Sequence, residues 1–174
     1  MTSNKKPVTR IRNKNTNMEN LQEIKIGKGL NTILFGISKA TLKNQLGQPT
    51  EIDSYNAGDD DEYLTEAWHY DEYEISASFD EEDDWRLTTL STSSPIATLN
   101  GKKVMGMSIT EIQELVAPLD LGEGEIEDME EDQTLLSYID SSLNFWFEDG
   151  KLSEVQWGVL WKDEDTPKWP VPVL

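Results

Sequence analysis

Apolar and polar residues alternate in six short stretches of this chain: Ala67 to Tyr70, Glu74 to Phe79, Arg86 to Ser91, Leu135 to Ile139, Leu143 to Phe147 and Leu152 to Leu160. A period of two is the signature of a strand with one face buried. Leu143, Phe145 and Phe147 then face a core, while Asn144, Trp146 and Glu148 face the other way. Val155, Trp157, Val159 and Trp161 alternate likewise, with Leu160 on the opposite side, and Asp149-Gly150 suits a hairpin turn. Twice the period lengthens to three or four. Ser38 caps a helix from about Lys39 to Leu46, with Leu42 and Leu46 inward and Gly47 as its stop. Ser108 and Glu111 form a capping box before Ile112, Leu115 and Val116, and Pro118 is read as the end of that helix. Ile24, Ile26 and Ile33 to Phe35 around Gly27-Lys28-Gly29 read as a short strand or connector.

The pattern occurs twice. Phe35-Gly36-Ile37-Ser38 with Leu42 and Leu46 returns as Met105-Gly106-Met107-Ser108 with Ile112 and Val116. The correspondence continues into the strands, where Tyr70, Ile75, Ala77 and Phe79 match Tyr138, Leu143, Phe145 and Phe147. An internal repeat sets the expected architecture. The expectation is an α+β protein, a tandem repeat of a short helix followed by an antiparallel three- or four-strand meander. Its parts are a flexible basic arm (1–20), a first copy (21–97), a second copy (98–162) and an extended tail (163–174) in which Pro167, Pro170 and Pro172 surround Trp169. The two copies either share one sheet or sit side by side.

Composition adds bounds. With 174 residues, 36% hydrophobic, and six tryptophans, the chain has material for a core. It has no apolar run of membrane-spanning length and no apolar stretch behind its N-terminal basic residues, and it lacks cysteine, so a folded, soluble, cytoplasmic protein is expected.

Charge changes the picture more. Residues 1–20 carry Lys5, Lys6, Arg10, Arg12 and Lys14 against Glu19, so the remainder holds 10 basic and 33 acidic residues, a net charge of −23. Such a field repels phosphates and anionic membranes and draws basic surfaces. Simple solubility is the competing explanation. The acids cluster at Asp59 to Glu62, Asp80 to Asp84, Glu123 to Asp132 and Asp163 to Asp165, between apolar segments, which assigns them to loops. The candidate partner-binding residues are therefore Asp59, Asp60, Asp61, Glu62, Asp80, Glu81, Glu82, Asp83, Asp84, Trp85 and Trp146.

The Gly-x-Ser turn at Gly36 to Ser38, the short helix ending in Leu46-Gly47-Gln48-Pro49, and the meander in tandem resemble the beta-lactamase-inhibitor-protein-like group. The second copy departs from it with Ala117-Pro118-Leu119 in place of the closing Leu-Gly-x-Pro. The resemblance implies a fold more than a job. Its members include secreted enzyme inhibitors, outer-membrane assembly lipoproteins and small bacterial proteins suspected of binding partners through the sheet face and loops.

Chemistry is sparse. His69, the single histidine, lies between Trp68 and Tyr70 and reads as a strand histidine facing solvent. The acidic runs offer calcium-type oxygen ligands without EF-hand spacing, and Gly27-Lys28-Gly29 lacks the ending of a phosphate loop, so no metal or cofactor is called for. No carboxylate pair is singled out for glycoside chemistry. The expected function is an acidic, non-catalytic protein-binding module, an immunity-type inhibitor that neutralises a basic bacterial toxin or enzyme such as a nuclease. The alternatives are a structural or assembly scaffold and an acidic nucleic-acid mimic; direct binding of nucleic acid or membrane is not expected.

Overall fold

The computed structural model describes residues 21–171; the basic arm expected over 1–20 lies outside them. Three two-residue strands open the described chain: β1 (Ile24–Lys25), β2 (Gly29–Leu30) and β3 (Ile33–Leu34) form a small sheet. Helix α1 (Lys39–Leu46) follows, then β4 (Glu51–Ala57), β5 (Tyr63–Tyr70), β6 (Ile75–Asp80) and β7 (Arg86–Thr92). A minor hairpin, β8 (Thr98–Leu99) and β9 (Lys102–Lys103), leads to helix α2 (Ile109–Val116). The chain continues through β10 (Glu125–Asp128), β11 (Gln133–Tyr138), β12 (Leu143–Glu148) and β13 (Lys151–Gly158), and ends in the hairpin β14 (Leu160–Asp163) and β15 (Thr166–Lys168).

Eight of these strands form one antiparallel sheet in the order β10-β11-β12-β13-β7-β6-β5-β4. The protein is mostly β, with two eight-residue helices among the described residues, which corrects the expected α+β tandem of helix-plus-meander units. Two physical reasons account for the difference. Segments read as acidic loops supply the outer strands β4 and β10, whose side chains are almost all exposed and so show no apolar alternation. The ladder also runs through the middle, where Val155 to Gly158 of β13 pair with Thr92 to Thr89 of β7, so the strands of both halves belong to one sheet.

One face of that sheet is apolar. Ile75, Ala77, Phe79, Leu87, Leu90, Leu143, Phe145, Phe147, Val155 and Trp157 are buried in a single cluster, joined by Leu42 and Leu46 of α1 and Ile112 and Val116 of α2. Both helices therefore cover the same face. Each is entered through a turn stitched to a strand by two backbone bonds. Gly36 N–H donates to Leu87 O and Leu87 N–H to Ile37 O, while Gly106 N–H donates to Leu152 O and Leu152 N–H to Met107 O. Gly36 has φ 96°, and a Cβ there would lie 2.9 Å from the Trp169 ring, so glycine alone suits both backbone and packing. Trp157, buried on β13, donates its indole N–H to Gly29 O at 3.0 Å and ties the small sheet to the large one.

α2 ends at Val116, just before Pro118 as expected, and the chain passes into a 3-10 turn over Ala117–Leu119 that it leaves at Asp120, φ 54°. One local expectation changes. The alternation of β13 stops at Val159, because a new hairpin begins at Leu160, and Trp161 is 40% exposed instead of facing the core. From the tail, Trp169 packs against the core and Arg86 lies over its ring.

Candidate functional site

Among the described residues no helix covers the second face of the large sheet. Strand parity puts Ser76 and Ser78 of β6, Thr89 and Ser91 of β7, Asn144 and Trp146 of β12, and Glu154, Gln156 and Gly158 of β13 on it. Register aligns one residue from every strand into a single row: Glu51, His69, Ser76, Ser91, Gln156, Asn144, Ser137 and Glu125. Seven inter-strand steps make that row about 34 Å long. The row is polar throughout, with an acid at each end.

Its best-organised part is near β4. His69 Nε2 lies 2.9 Å from Asp53 Oδ2 and its Nδ1 lies 2.7 Å from Ser76 Oγ, so three neighbouring strands meet at one imidazole. An ionised carboxylate only accepts, which places a proton on Nε2 and lets the neutral ring accept the Ser76 hydroxyl at Nδ1. The expected solvent-facing histidine is thus a half-buried, doubly bonded one. Around it lies an open trough of about 390 Å³ whose lining includes the acidic residues Glu51, Asp53, Asp71, Glu74 and Glu154 and the serines Ser76, Ser91 and Ser93. Among the described residues no lysine or arginine lines it.

The Asp-His-Ser line resembles a nucleophile relay in composition only. Ser76 is the second residue of β6 and is paired on both sides, with His69 of β5 and Ser91 of β7, so the backbone N–H groups beside it belong to the ladder rather than converging on an oxyanion. Among the described residues no group of three or more metal-ligating side chains is arranged to hold an ion. The trough can do simpler chemistry: it presents negative charge and hydroxyl groups to a cation.

The residues singled out in the sequence lie elsewhere on the sheet. Asp59, Asp60 and Asp61 form a 3-10 turn between β4 and β5, followed by Glu62, and Glu81, Glu82 and Asp83 form another between β6 and β7, followed by Asp84. These turns sit at the same end of the sheet, bridged by the Leu64 N–H bond to Glu81 Oε1 at 3.3 Å. The structure brings them together away from the trough. Burial first, then the negative charge of Asp80, Glu82 and Asp84, pushes the Asp83 carboxyl up from 3.8. Burial and Asp80 likewise push up the Tyr55 and Tyr63 hydroxyls.

Asp80 is different in kind. It ends β6 rather than sitting on a loop, and its carboxylate accepts from Thr65 Oγ1 at 2.6 Å and Thr88 Oγ1 at 2.7 Å, clamping β5 and β7 to β6. Trp85 is also engaged: it packs against the core, and the Lys39 ammonium stands 3.8 Å over its ring while bonding Glu66 at 2.7 Å. Trp146 is half-buried on the helix-free face, opposite Glu154 and Leu135. The run Glu123 to Asp132, assigned to a loop, contains β10 and so forms a sheet edge.

Sequence reasoning missed Glu51, Asp53, Ser76, Glu74 and Glu154. A faint signal existed in Glu51, Asp53 and Tyr55, which alternate as one face of a strand, but the intervening Ile52 is the only aliphatic partner on the other.

No family model matches the chain, and no curated protein matches it. Two solved structures are similar to it. An extracellular protein containing an SCP domain from Bacillus anthracis is 13% identical with a TM-score of 0.48, over 88% of this chain and 54% of that one. The chain thus spans about half the length of that protein. An uncharacterized protein, YfeY, from Escherichia coli is 10% identical with a TM-score of 0.43, over 79% of this chain and 97% of that one. Among the described residues no helix is long and apolar enough to cross a membrane.

Proposed function

We propose that the protein is a non-catalytic binding module that captures a basic protein through the helix-free face of its sheet, in the manner of an immunity-type inhibitor against a basic toxin or enzyme. The observation that carries this reading is the trough around His69, which is lined by five acidic residues and three serines and, among the described residues, by no lysine or arginine. A lysine or arginine side chain entering it would find charge and hydrogen-bond acceptors together. The net charge of −19 adds long-range attraction for such a partner. Trp146, two residues from the polar row, offers apolar area beside Glu154.

The test is capture from lysate at low salt, release at high salt, and assay of the released protein with and without this one. The expected result is a basic protein whose activity falls on addition. The double charge reversal Glu74→Lys with Glu154→Lys should weaken that complex by about tenfold or more and lower its association rate. An unchanged affinity would remove the trough from the interface.

A further inference from the structure

We infer that β4 is a docking edge that accepts an added antiparallel strand from a basic, extended peptide segment. The edge shares Glu51 and Asp53 with the trough, so the inference rests in part on the reading of that trough as a site for cations.

The two edges of the large sheet are unequal. β10 pairs through four residues, whereas β4 pairs with β5 through seven consecutive residues without a register shift. Among the described residues β5 is the only strand beside β4. In an antiparallel ladder alternate residues of an edge strand turn their N–H and C=O groups outward, so β4 presents a regular, unpaired set. It contains no proline, lysine or bulge, and its only charges, Glu51 and Asp53, are acidic and so deter an acidic or like strand while suiting a basic one.

Its side chains indicate what fits. Glu51 and Asp53 lie on the helix-free face, and Ile52, 48% exposed, lies on the helix side with Leu64, 42% exposed, further along that face. A second copy would place like charges across the new ladder, which is unfavourable. A segment alternating lysine or arginine with apolar residues places its cations against Glu51 and Asp53 and its apolar side chains beside Ile52. Main-chain bonds would supply affinity and the alternation specificity, as in strand addition generally.

The experiment uses the full chain and a blocked nine-residue peptide alternating lysine and valine, with hydrogen exchange read by mass spectrometry and binding by fluorescence anisotropy. The peptide should slow exchange of the 51–57 amides by about tenfold, and N-methylation of alternate peptide nitrogens should abolish both effects. Equal binding of the methylated peptide, without protection of 51–57, would mean adhesion by charge alone and would overturn the edge while leaving the trough reading intact. Absence of binding would overturn it too. So would 51–57 amides in the free protein that already exchange as slowly as those of β6, since the edge would then be covered by the chain's own residues in a monomer or by a second copy in a dimer; sedimentation separates these.

Discussion

The half of the sheet formed by β4 to β7 and the half formed by β10 to β13 bury the same kind of surface and expose different kinds. On the inner face Ile75, Ala77 and Phe79 in one half and Leu143, Phe145 and Phe147 in the other are each 3% exposed or less. On the helix-free face the first half is wired by side chains: Asp53 to His69 to Ser76, and Thr65 and Thr88 to Asp80. The second half shows Asn144, Trp146 and Gln156 in the corresponding region, with Ser153 donating only to the Trp146 carbonyl. The lesson is that packing constrains the inner face of both halves equally, while the outer face is free to differ and holds the chemistry.

The comparison breaks first if the inner faces are unequal. Phe79→Ala and Phe147→Ala should each cost roughly 3–5 kcal/mol in urea unfolding, because each empties a fully enclosed site. A near-neutral result for one would show that its half is loosely packed. The outer faces should separate next. Asp80→Ala should cost about 1–3 kcal/mol by removing the acceptor of the Thr65 hydroxyl and leaving Thr88 only its longer bond to Ser78 O, whereas Asn144→Ala should stay within about 0.5 kcal/mol. Similar values for both would remove the distinction. For the same reason Asp80 is a poor position for probing partner binding, and the neighbouring Glu82 is a better one.

The smallest effect is a pH dependence in the first half. Bonds from Lys39 and then from the Trp68 indole hold the Glu66 carboxyl below its ordinary 4.5. A depressed carboxylate stabilises the fold above its unfolded value and loses that contribution as pH falls through its folded value. The stability gap between the protein and Glu66→Gln should therefore be constant above about pH 4.5 and close below it, read from urea midpoints across the acid range. A gap that persists in acid would assign the effect to packing rather than to ionisation.

Much of the inner architecture was legible in the residues. The caps at Ser38 and Ser108, the buried stripes of both helices and the alternation of Leu143, Phe145 and Phe147 follow from local periodicity, which burial enforces. The edges were not legible, because β4 and β10 have solvent on nearly every side and no apolar rhythm to betray a strand. The site was hidden for a related reason. Acidic runs such as Asp59 to Glu62 are conspicuous along the chain, but Glu51, His69, Ser76 and Glu154 are isolated there and converge only when the five strands from β4 through β7 to β13 take their register.

Local sequence thus determined which residues leave water, since side-chain periods of two and near four and the capping residues act within one element. It also set the sign and size of the charge. Only the tertiary structure decided that strands from both halves join at β7 and β13, that Asp80 and Trp85 are engaged internally, and that an acidic trough forms around His69. Those outcomes depend on inter-strand register, and register is set by contacts between segments far apart in the chain.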